Sequence, residues 1–157
     1  MNNIKLLILD RDGLINQNSS DPESPYYYIL NKGDFNLLPN VVEAFSLIKD
    51  FSVVTALATK QKCISKGLLT YSELGEIHEY MESLIDFKFD SICIEKEKDS
   101  KLDMLSVILY RYRIRDPKHV LFIDDSKYQC EEAAKLGINV IYTNDLYETI
   151  KRFKNEE

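Results

Sequence analysis

Five short apolar runs alternate with amphipathic stretches along the chain, and this alternation constrains the fold more than any other feature. The runs are nearly continuous in hydrophobicity and rich in β-branched residues, which is typical of strands buried on both faces. They occupy residues 4–9, 52–58, 89–94, 119–123 and 139–143. The stretches between them carry apolar residues at helical spacing. Strands that alternate with helices predict a doubly wound, Rossmann-like α/β fold with a parallel sheet of about five strands.

The length of 157 residues predicts one domain, residues 1–157, that can bury a sizeable core. Residues 16–38 are the one long irregular segment, and we expect residues 14–38 to form a flap-like loop and no large cap domain. Three tyrosines in this segment, Tyr26, Tyr27 and Tyr28, are expected to pack against the domain, with stacking on a substrate as the alternative.

Composition narrows the class of protein. The formal net charge is −6, and the lysines and arginines form no stripe, which disfavours nucleic acid as a partner. The three cysteines show no zinc-ligand spacing. The first apolar run is too short for a signal peptide, and no run approaches the length of a membrane span. We therefore expect a cytoplasmic protein that contacts no membrane.

Acidic residues follow the first and fourth predicted strands. Asp10 and Asp12 are two positions apart, so their side chains begin on the same side of an extended chain. Asp124 and Asp125 follow the fourth strand. The carboxyl ends of parallel strands meet at one edge of the sheet, and carboxylates there predict a Mg²⁺ site for phosphoryl chemistry. The alternatives are an Asp-Gly hairpin turn after the first strand and a helix cap after the fourth.

Candidate phosphate ligands follow the second and third strands. Thr59 offers a hydroxyl and a backbone N–H, although, taken alone, a helix or turn cap explains this residue better. Ser100 is the expected N-cap of the next helix, which puts Lys101 in its first turn, where the helix dipole disfavours a cation unless an anion binds there. Lys98 is the rival candidate. A second helix is expected to begin at Ser72, and it carries His78, for which we expect a structural role.

The motif Asp10-Arg11-Asp12-Gly13 resembles the first motif, DxDG, of the haloacid dehalogenase-like superfamily of phosphohydrolases. Other segments resemble the branch of that superfamily that contains heptose bisphosphate and histidinol-phosphate phosphatases. These segments read LDRDGLIN, FNLLPNVVEAFSLIKDF, TKQKCISKGLLT and FIDDSKYQCEEAAKLGI. The resemblance runs along nearly the whole chain and implies a phosphatase of small phosphorylated metabolites in carbohydrate metabolism, with a sugar (bis)phosphate as the expected substrate.

The resemblance also implies roles for particular residues. Asp10 would be the nucleophile that forms an aspartyl-phosphate, and Asp12 would act as general acid and then general base. Mg²⁺ would be held by Asp10, the backbone carbonyl of Asp12 and Asp125, with Asp124 close behind.

The phosphate oxygens would be bound by Thr59, Lys60 and Lys101, or by Lys98 in place of Lys101. The chain departs from the branch at several positions. Only Cys93 lies near the place of the branch's zinc loop, so we expect no zinc, and Gln129 stands where a further aspartate often follows. Two alternative functions stay open: a polynucleotide 3′-phosphatase, and a non-catalytic binding or regulatory module of the same fold.

Overall fold

The predicted strands form one parallel sheet, which confirms the doubly wound α/β fold. The structure, a computed structural model, describes residues 1–156. The sheet order is β3-β2-β1-β4-β5, so the chain begins at the centre of the sheet and winds outwards in both directions. The strands are β1 (Leu6–Leu9), β2 (Val54–Lys60), β3 (Ser91–Glu95), β4 (Val120–Asp124) and β5 (Asn139–Tyr142).

Helices cover both faces of the sheet. They are α1 (Val41–Ile48), α2 (Tyr71–Ile85), α3 (Leu102–Arg111), α4 (Lys127–Ala134) and α5 (Leu146–Asn155). Helices α1, α2 and α5 share one apolar cluster with Leu7 and Leu9, whereas α3 and α4 share a second with Leu6 and Ile8. Alternate residues of β1 thus enter two cores, which explains the unbroken apolar run. Within residues 1–156, no helix is long and apolar enough to cross a membrane.

The start of α2 differs from the predicted one. Thr70 is the N-cap: its Oγ1 accepts a hydrogen bond from Glu73 N at 3.1 Å, and the Glu73 carboxylate accepts one from Thr70 N at 3.0 Å. This reciprocal pair is a capping box. The prediction of Ser72 is wrong because an acidic residue lies three positions after Thr70, whereas Gly75 lies three positions after Ser72.

The start of α3 is displaced by one residue from the predicted cap. The structure puts the N-cap position at Lys101 instead of Ser100, and no side chain caps the helix from that position. The Ser100 hydroxyl still accepts a hydrogen bond from Leu102 N at 3.1 Å. The Lys101 side chain is therefore free to leave the helix end.

Residues 14–38 form a loop that contains two short 3₁₀ turns, Pro25–Tyr27 and Lys32–Asp34, and no α-helix or strand. The ends of the loop are tied together, because Leu38 N donates to Ile15 O at 2.9 Å. A large cap domain is therefore absent from this part of the described chain, as expected.

The tyrosines of the loop only partly follow the prediction. Tyr28 packs against the larger apolar cluster. Tyr26 and Tyr27 are 77% and 59% exposed, so the expectation that they pack against the domain is wrong. Their backbone φ angles of 51° and 58° lie in the left-handed region, which turns both rings outwards at a conformational cost of about 1–2 kcal/mol each.

Candidate active site

The acids that follow β1 and β4 lie side by side at the carboxyl edge of the sheet. The two strands pair in parallel with Leu9 opposite Ile123, which brings Asp10 next to Asp124. Carboxylate oxygens of Asp10, Asp124 and Asp125 lie within 4.8 Å of one another. The chain winds away from β1 in both directions, and this is the place at which open parallel sheets bind ligands.

Lys101 reaches from the start of α3 into this acidic cluster. Its side chain is 3% exposed, and its Nζ donates to Asp10 Oδ1 at 2.6 Å and to Asp124 Oδ2 at 2.8 Å. Gln129 of α4 fixes the backbone at this point: its Oε1 accepts from Lys101 N at 2.9 Å, and its Nε2 donates to Asp99 O at 2.6 Å. We predicted no role for Gln129 from the sequence, and its contact with Lys101 joins residues that are 28 positions apart.

Lys98, the rival candidate, lies on the surface. Its side chain is 60% exposed and forms an ion pair with Asp103 of α3. The structure therefore brings Lys101, and not Lys98, to the acids. The two lysines are only three positions apart in a charge-rich loop, so local sequence could not separate them.

Burial and crowding control the charge of the acidic cluster. Burial raises the pKa of Asp10 well above its usual value, the Lys101 charge opposes this rise, and the Asp124 charge adds to it. Burial also raises the pKa of Asp125. Burial alone would lower the pKa of Lys101, but its two carboxylate partners raise it, so the ammonium stays charged. Three carboxylates around one ammonium leave excess negative charge, which a divalent cation would neutralise.

Gly13 allows Asp125 to approach the loop after β1. Its φ is +87°, and a Cβ at this position would lie 1.9 Å from Asp125 Oδ2. Only glycine is compatible with both the left-handed backbone and this contact. The Asp125 carboxylate is thus held close to the first loop, and the oxygen-rich donor set fits a hard cation such as Mg²⁺.

Asp12 has a different environment from Asp10. Its Oδ1 accepts hydrogen bonds from Arg11 Nη2 at 2.8 Å and from Asn16 Nδ2 at 2.9 Å, and its Oδ2 accepts one from Gln61 Nε2 at 2.8 Å. Burial alone would raise the pKa of Asp12, but the Arg11 charge and these hydrogen bonds lower it. The side chain of Asp12 is 32% exposed and lines the same cavity as Asp10. Its carboxylate is therefore fixed apart from the acidic cluster.

Arg11 and His78 belong to this second network, and sequence reasoning missed them. Arg11 is fully buried, and its Nη1 lies 3.0 Å from His78 Nε2. Burial, together with the Arg11 charge, lowers the pKa of His78 to about 3, so its ring is neutral. The sequence signal that could have indicated His78 is its position on the apolar face of α2, between Leu74 and Met81. Its partner lies 67 residues away along the chain and could not be read from that pattern.

The two other candidate phosphate ligands lie at the end of β2. Thr59 is fully buried, and its Oγ1 accepts a hydrogen bond from Gln61 Nε2 at 2.8 Å. Gln61 thus joins Thr59 to Asp12. Lys60 lines the cavity of about 220 Å³ that also contains Asp10 and Asp12.

A second cavity with aromatic and basic walls adjoins the acids. It has a volume of about 430 Å³ and is lined by Tyr26, Tyr28, Lys60, Lys62 and Lys66. The two tyrosines and Lys60 also line the cavity over the acids, so the cavities share a wall. The Lys66 Nζ lies 3.9 Å from the centre of the Tyr26 ring. The three lysines of this wall suit an anionic group, and the Tyr26 ring holds the Lys66 ammonium by a cation–π contact.

No family model matches the chain, but curated proteins resemble it. A curated relative from Pseudomonas putida, named D-glycero-beta-D-manno-heptose-1,7-bisphosphate 7-phosphatase, is 28% identical over 145 residues, which cover 85% of this chain and 79% of the relative. A relative of the same name from Bordetella bronchiseptica is 31% identical over 78 residues, or 50% of this chain. This match and one to a relative from Chlorobaculum tepidum each span only 40% of the relative's length.

Solved structures show the same fold. The structure described as D,D-heptose 1.7-bisphosphate phosphatase from B. bronchiseptica complexed with magnesium and phosphate has a TM-score of 0.81 and 22% identity, and the match covers 98% of this chain and 100% of that one. A second structure, of D,D-heptose 1,7-bisphosphate phosphatase from Burkholderia thailandensis, has a TM-score of 0.67 at 22% identity and covers 95% of this chain and 97% of its own.

Proposed function

We propose that the chain is a member of the haloacid dehalogenase-like superfamily and that it is a magnesium-dependent phosphomonoester hydrolase, which works through an aspartyl-phosphate intermediate. One observation carries the proposal: Asp10 lies in an acidic cluster with Lys101, whereas Asp12 is fixed apart from that cluster by its own donors. This difference supports Asp10 as the carboxylate that attacks phosphorus and Asp12 as the one that transfers protons.

The proposed reaction has two steps. In the first, a carboxylate oxygen of Asp10 bonds to phosphorus, the bond from phosphorus to the leaving oxygen breaks, and Asp12 gives its proton to that oxygen. In the second, a water oxygen bonds to phosphorus, the bond from phosphorus to Asp10 breaks, and Asp12 accepts the proton of the water. A phosphate dianion beside Asp12 opposes the donors that lower its pKa and favours the protonated form that the first step needs.

Lys101, Thr59 and Lys60 are proposed to bind the phosphate oxygens. Lys101 supports this role best, because its Nζ is 2.6 Å from Asp10 Oδ1 and so places positive charge beside the reacting phosphorus. Lys60 lies at the open side of the cavity. Thr59 is buried and contacts the site through Gln61, so we propose a contact from Thr59 only after Gln61 shifts.

The metal site is proposed to use Asp10 and Asp125, with Asp124 behind them and with the backbone carbonyl of Asp12. The carboxylate of Asp12 is already engaged by Arg11 and is not part of this set. When bound, Mg²⁺ supplies positive charge that favours the ionised form of Asp10 and neutralises phosphate oxygens.

The proposed substrate is a small sugar phosphate with a second anionic group, such as a heptose bisphosphate. The names of the curated relatives support this choice. The cavity that contains Lys62 and Lys66 beside the acids could hold the second group, and the exposed Tyr26 ring could lie against the sugar.

The test is phosphate release by the purified protein from p-nitrophenyl phosphate and from a panel of sugar monophosphates and bisphosphates. We expect turnover with Mg²⁺ that is abolished by a chelator and by Asp10→Asn, and faster turnover of bisphosphates. Asp50→Asn, at an exposed acid paired with Lys154, is the matched control and should retain activity.

Acid quenching during turnover should leave phosphate on the peptide that contains Asp10. No release from any member of the panel would refute the proposed activity. A 3′-phosphorylated oligonucleotide is included for comparison, and a clear preference for it would refute the sugar phosphate while leaving the phosphatase intact.

A further inference from the structure

The side chain of Arg11 points into the protein, although Arg11 stands between two acids of the site. It is fully buried, with its guanidinium carbon 5.7 Å from the centre of the Phe35 ring. Its Nη2 and Nε donate to Asp12 Oδ1 at 2.8 and 3.2 Å. Burying a guanidinium costs several kcal/mol of desolvation, and an apolar residue of similar volume often stabilises a core as well or better. A role of Arg11 at the active site would explain why a charged side chain is buried here.

His78 holds the other side of the guanidinium. Arginine can only donate, so His78 Nε2, 3.0 Å from Arg11 Nη1, is the acceptor, and the proton of the neutral ring is on Nδ1. A neutral acceptor orients the guanidinium without adding a second negative charge that would compete with Asp12. His78 lies within the 15 residues of α2, whose N-terminus is fixed by a capping box. The support is therefore a regular, packed element and not a loop.

These contacts set the orientation of the Asp12 carboxylate, which is partly exposed to the cavity. Donors on both carboxylate oxygens restrict its rotation, yet the side chain stays 32% exposed towards the cavity that Asp10 lines. Proton transfer requires the donor atom within hydrogen-bond reach of the leaving oxygen, and an error of about 1 Å can cost about a hundredfold in rate.

We propose that Arg11 and His78 are positioning residues for Asp12: His78 orients Arg11, and Arg11 orients the carboxyl group that protonates the leaving oxygen. This inference rests on the proposed function. In the step concerned, Asp10 bonds to phosphorus, the bond to the leaving oxygen breaks, and a proton passes from Asp12 to that oxygen. A misdirected Asp12 slows this first step only when the leaving group needs the proton.

Two substrates separate this role from a purely structural one. 2,4-Dinitrophenolate leaves without protonation, whereas the alkoxide of a sugar phosphate needs a proton, and kcat/KM reports on the steps up to cleavage of the leaving bond. For His78→Leu we expect kcat/KM for the sugar phosphate to fall at least about tenfold and that for dinitrophenyl phosphate less than about threefold. His78→Gln, whose side-chain oxygen can accept from Arg11, should recover most of the loss.

Two further variants complete the design. Arg11→Lys keeps the charge but loses the planar fork, and it should show the same selective loss. Thr70→Ala weakens the cap of α2 without removing a contact of Arg11 or His78, so its ratio of the two kcat/KM values should equal that of the wild type. If His78→Leu does not fold, the Gln and Lys variants provide the comparison.

The possible results separate a failure of the positioning role from a failure of the proposed function. Equal losses on both substrates, or no loss on either, in variants with a cooperative thermal transition would overturn the positioning role and leave the proposed function standing. A wild-type protein that is inactive on both substrates would overturn the proposed function and the inference with it.

Discussion

At the scale of single residues, Lys101 is a buried cation that joins two acids of the site. Its Nζ contacts two buried carboxylates, and burial of such a group is tolerated only when it is paired. The sequence predicted an anion site at the start of α3 from the unfavourably placed Lys101, with Lys98 as the alternative. Separating the two required the path of the chain from β3 to α3, because only that path shows which side chain turns towards Asp10.

Replacing Lys101 with methionine tests its role directly. We expect Lys101→Met to lower kcat/KM at least about a hundredfold, since the charge beside the phosphoryl group is lost. The metal-free variant should also unfold about 3–5 kcal/mol more easily, because Asp10 and Asp124 lose their buried partner.

The matched control for this prediction is Lys98→Met, at a lysine that is 60% exposed. We expect kcat/KM to change less than about twofold and stability by at most about 1 kcal/mol. Steady-state kinetics and urea unfolding check both variants. Similar losses of activity in the two would contradict the assignment of Lys101.

At the scale of elements, the strands could be predicted well and the helix starts poorly. Near-continuous apolar runs indicate strands, and all five runs become strands. Burial on both faces holds for β1 and β4, whereas the edge strands β3 and β5 are only partly buried. A helix start instead depends on which of several neighbouring hydroxyls finds a partner three residues later. Thr70 and Ser72 both satisfy the residue preference for an N-cap, and the choice between them lies in the position of Glu73.

The cap of α2 can be tested by a pair of alanine variants. Thr70→Ala should lower the free energy of unfolding by about 1 kcal/mol, because it removes the acceptor for Glu73 N. Ser72→Ala should change it by less than about 0.5 kcal/mol. Chemical unfolding measures both, and a larger effect at Ser72 would restore the cap predicted from the sequence.

At the scale of the whole molecule, the site is assembled from segments that are distant in sequence. Asp10, Lys101 and Asp125 follow three different strands, and the parallel sheet brings them to one edge. Their convergence could be predicted because parallel strands carry their carboxyl ends to the same side. The contacts of Gln129 and His78 could not, because each depends on how a helix packs across the sheet and leaves no local pattern.

Magnesium should stabilise the folded protein, because the acidic cluster exists only when β1 and β4 are paired. At a concentration about 100 times the dissociation constant, binding adds about 2.7 kcal/mol, which corresponds to a rise in Tm of about 5–10 °C for a chain of this size. Differential scanning calorimetry with Mg²⁺ and with a chelator measures the rise.

Gly13→Ala should abolish most of this rise, because the new Cβ would displace Asp125 from its contact with the first loop. Gly75→Ala is the control, since nothing lies within 4 Å of the added Cβ. An unchanged Tm in the wild-type protein, or an equal rise in Gly13→Ala, would contradict the proposed metal site.

The strand order also determines when, during translation, the acids of the site can come together. The strand β1 is synthesised before both of its neighbours, and one of them, β4, begins more than 100 residues later, at Val120. A nascent chain that ends before β4 exposes Asp10 without Asp124 and Asp125. Such a chain lacks two of the three acids that would retain a cation. The proposed phosphoryl transfer therefore has to wait until the segment that contains β4 has been synthesised and paired with β1.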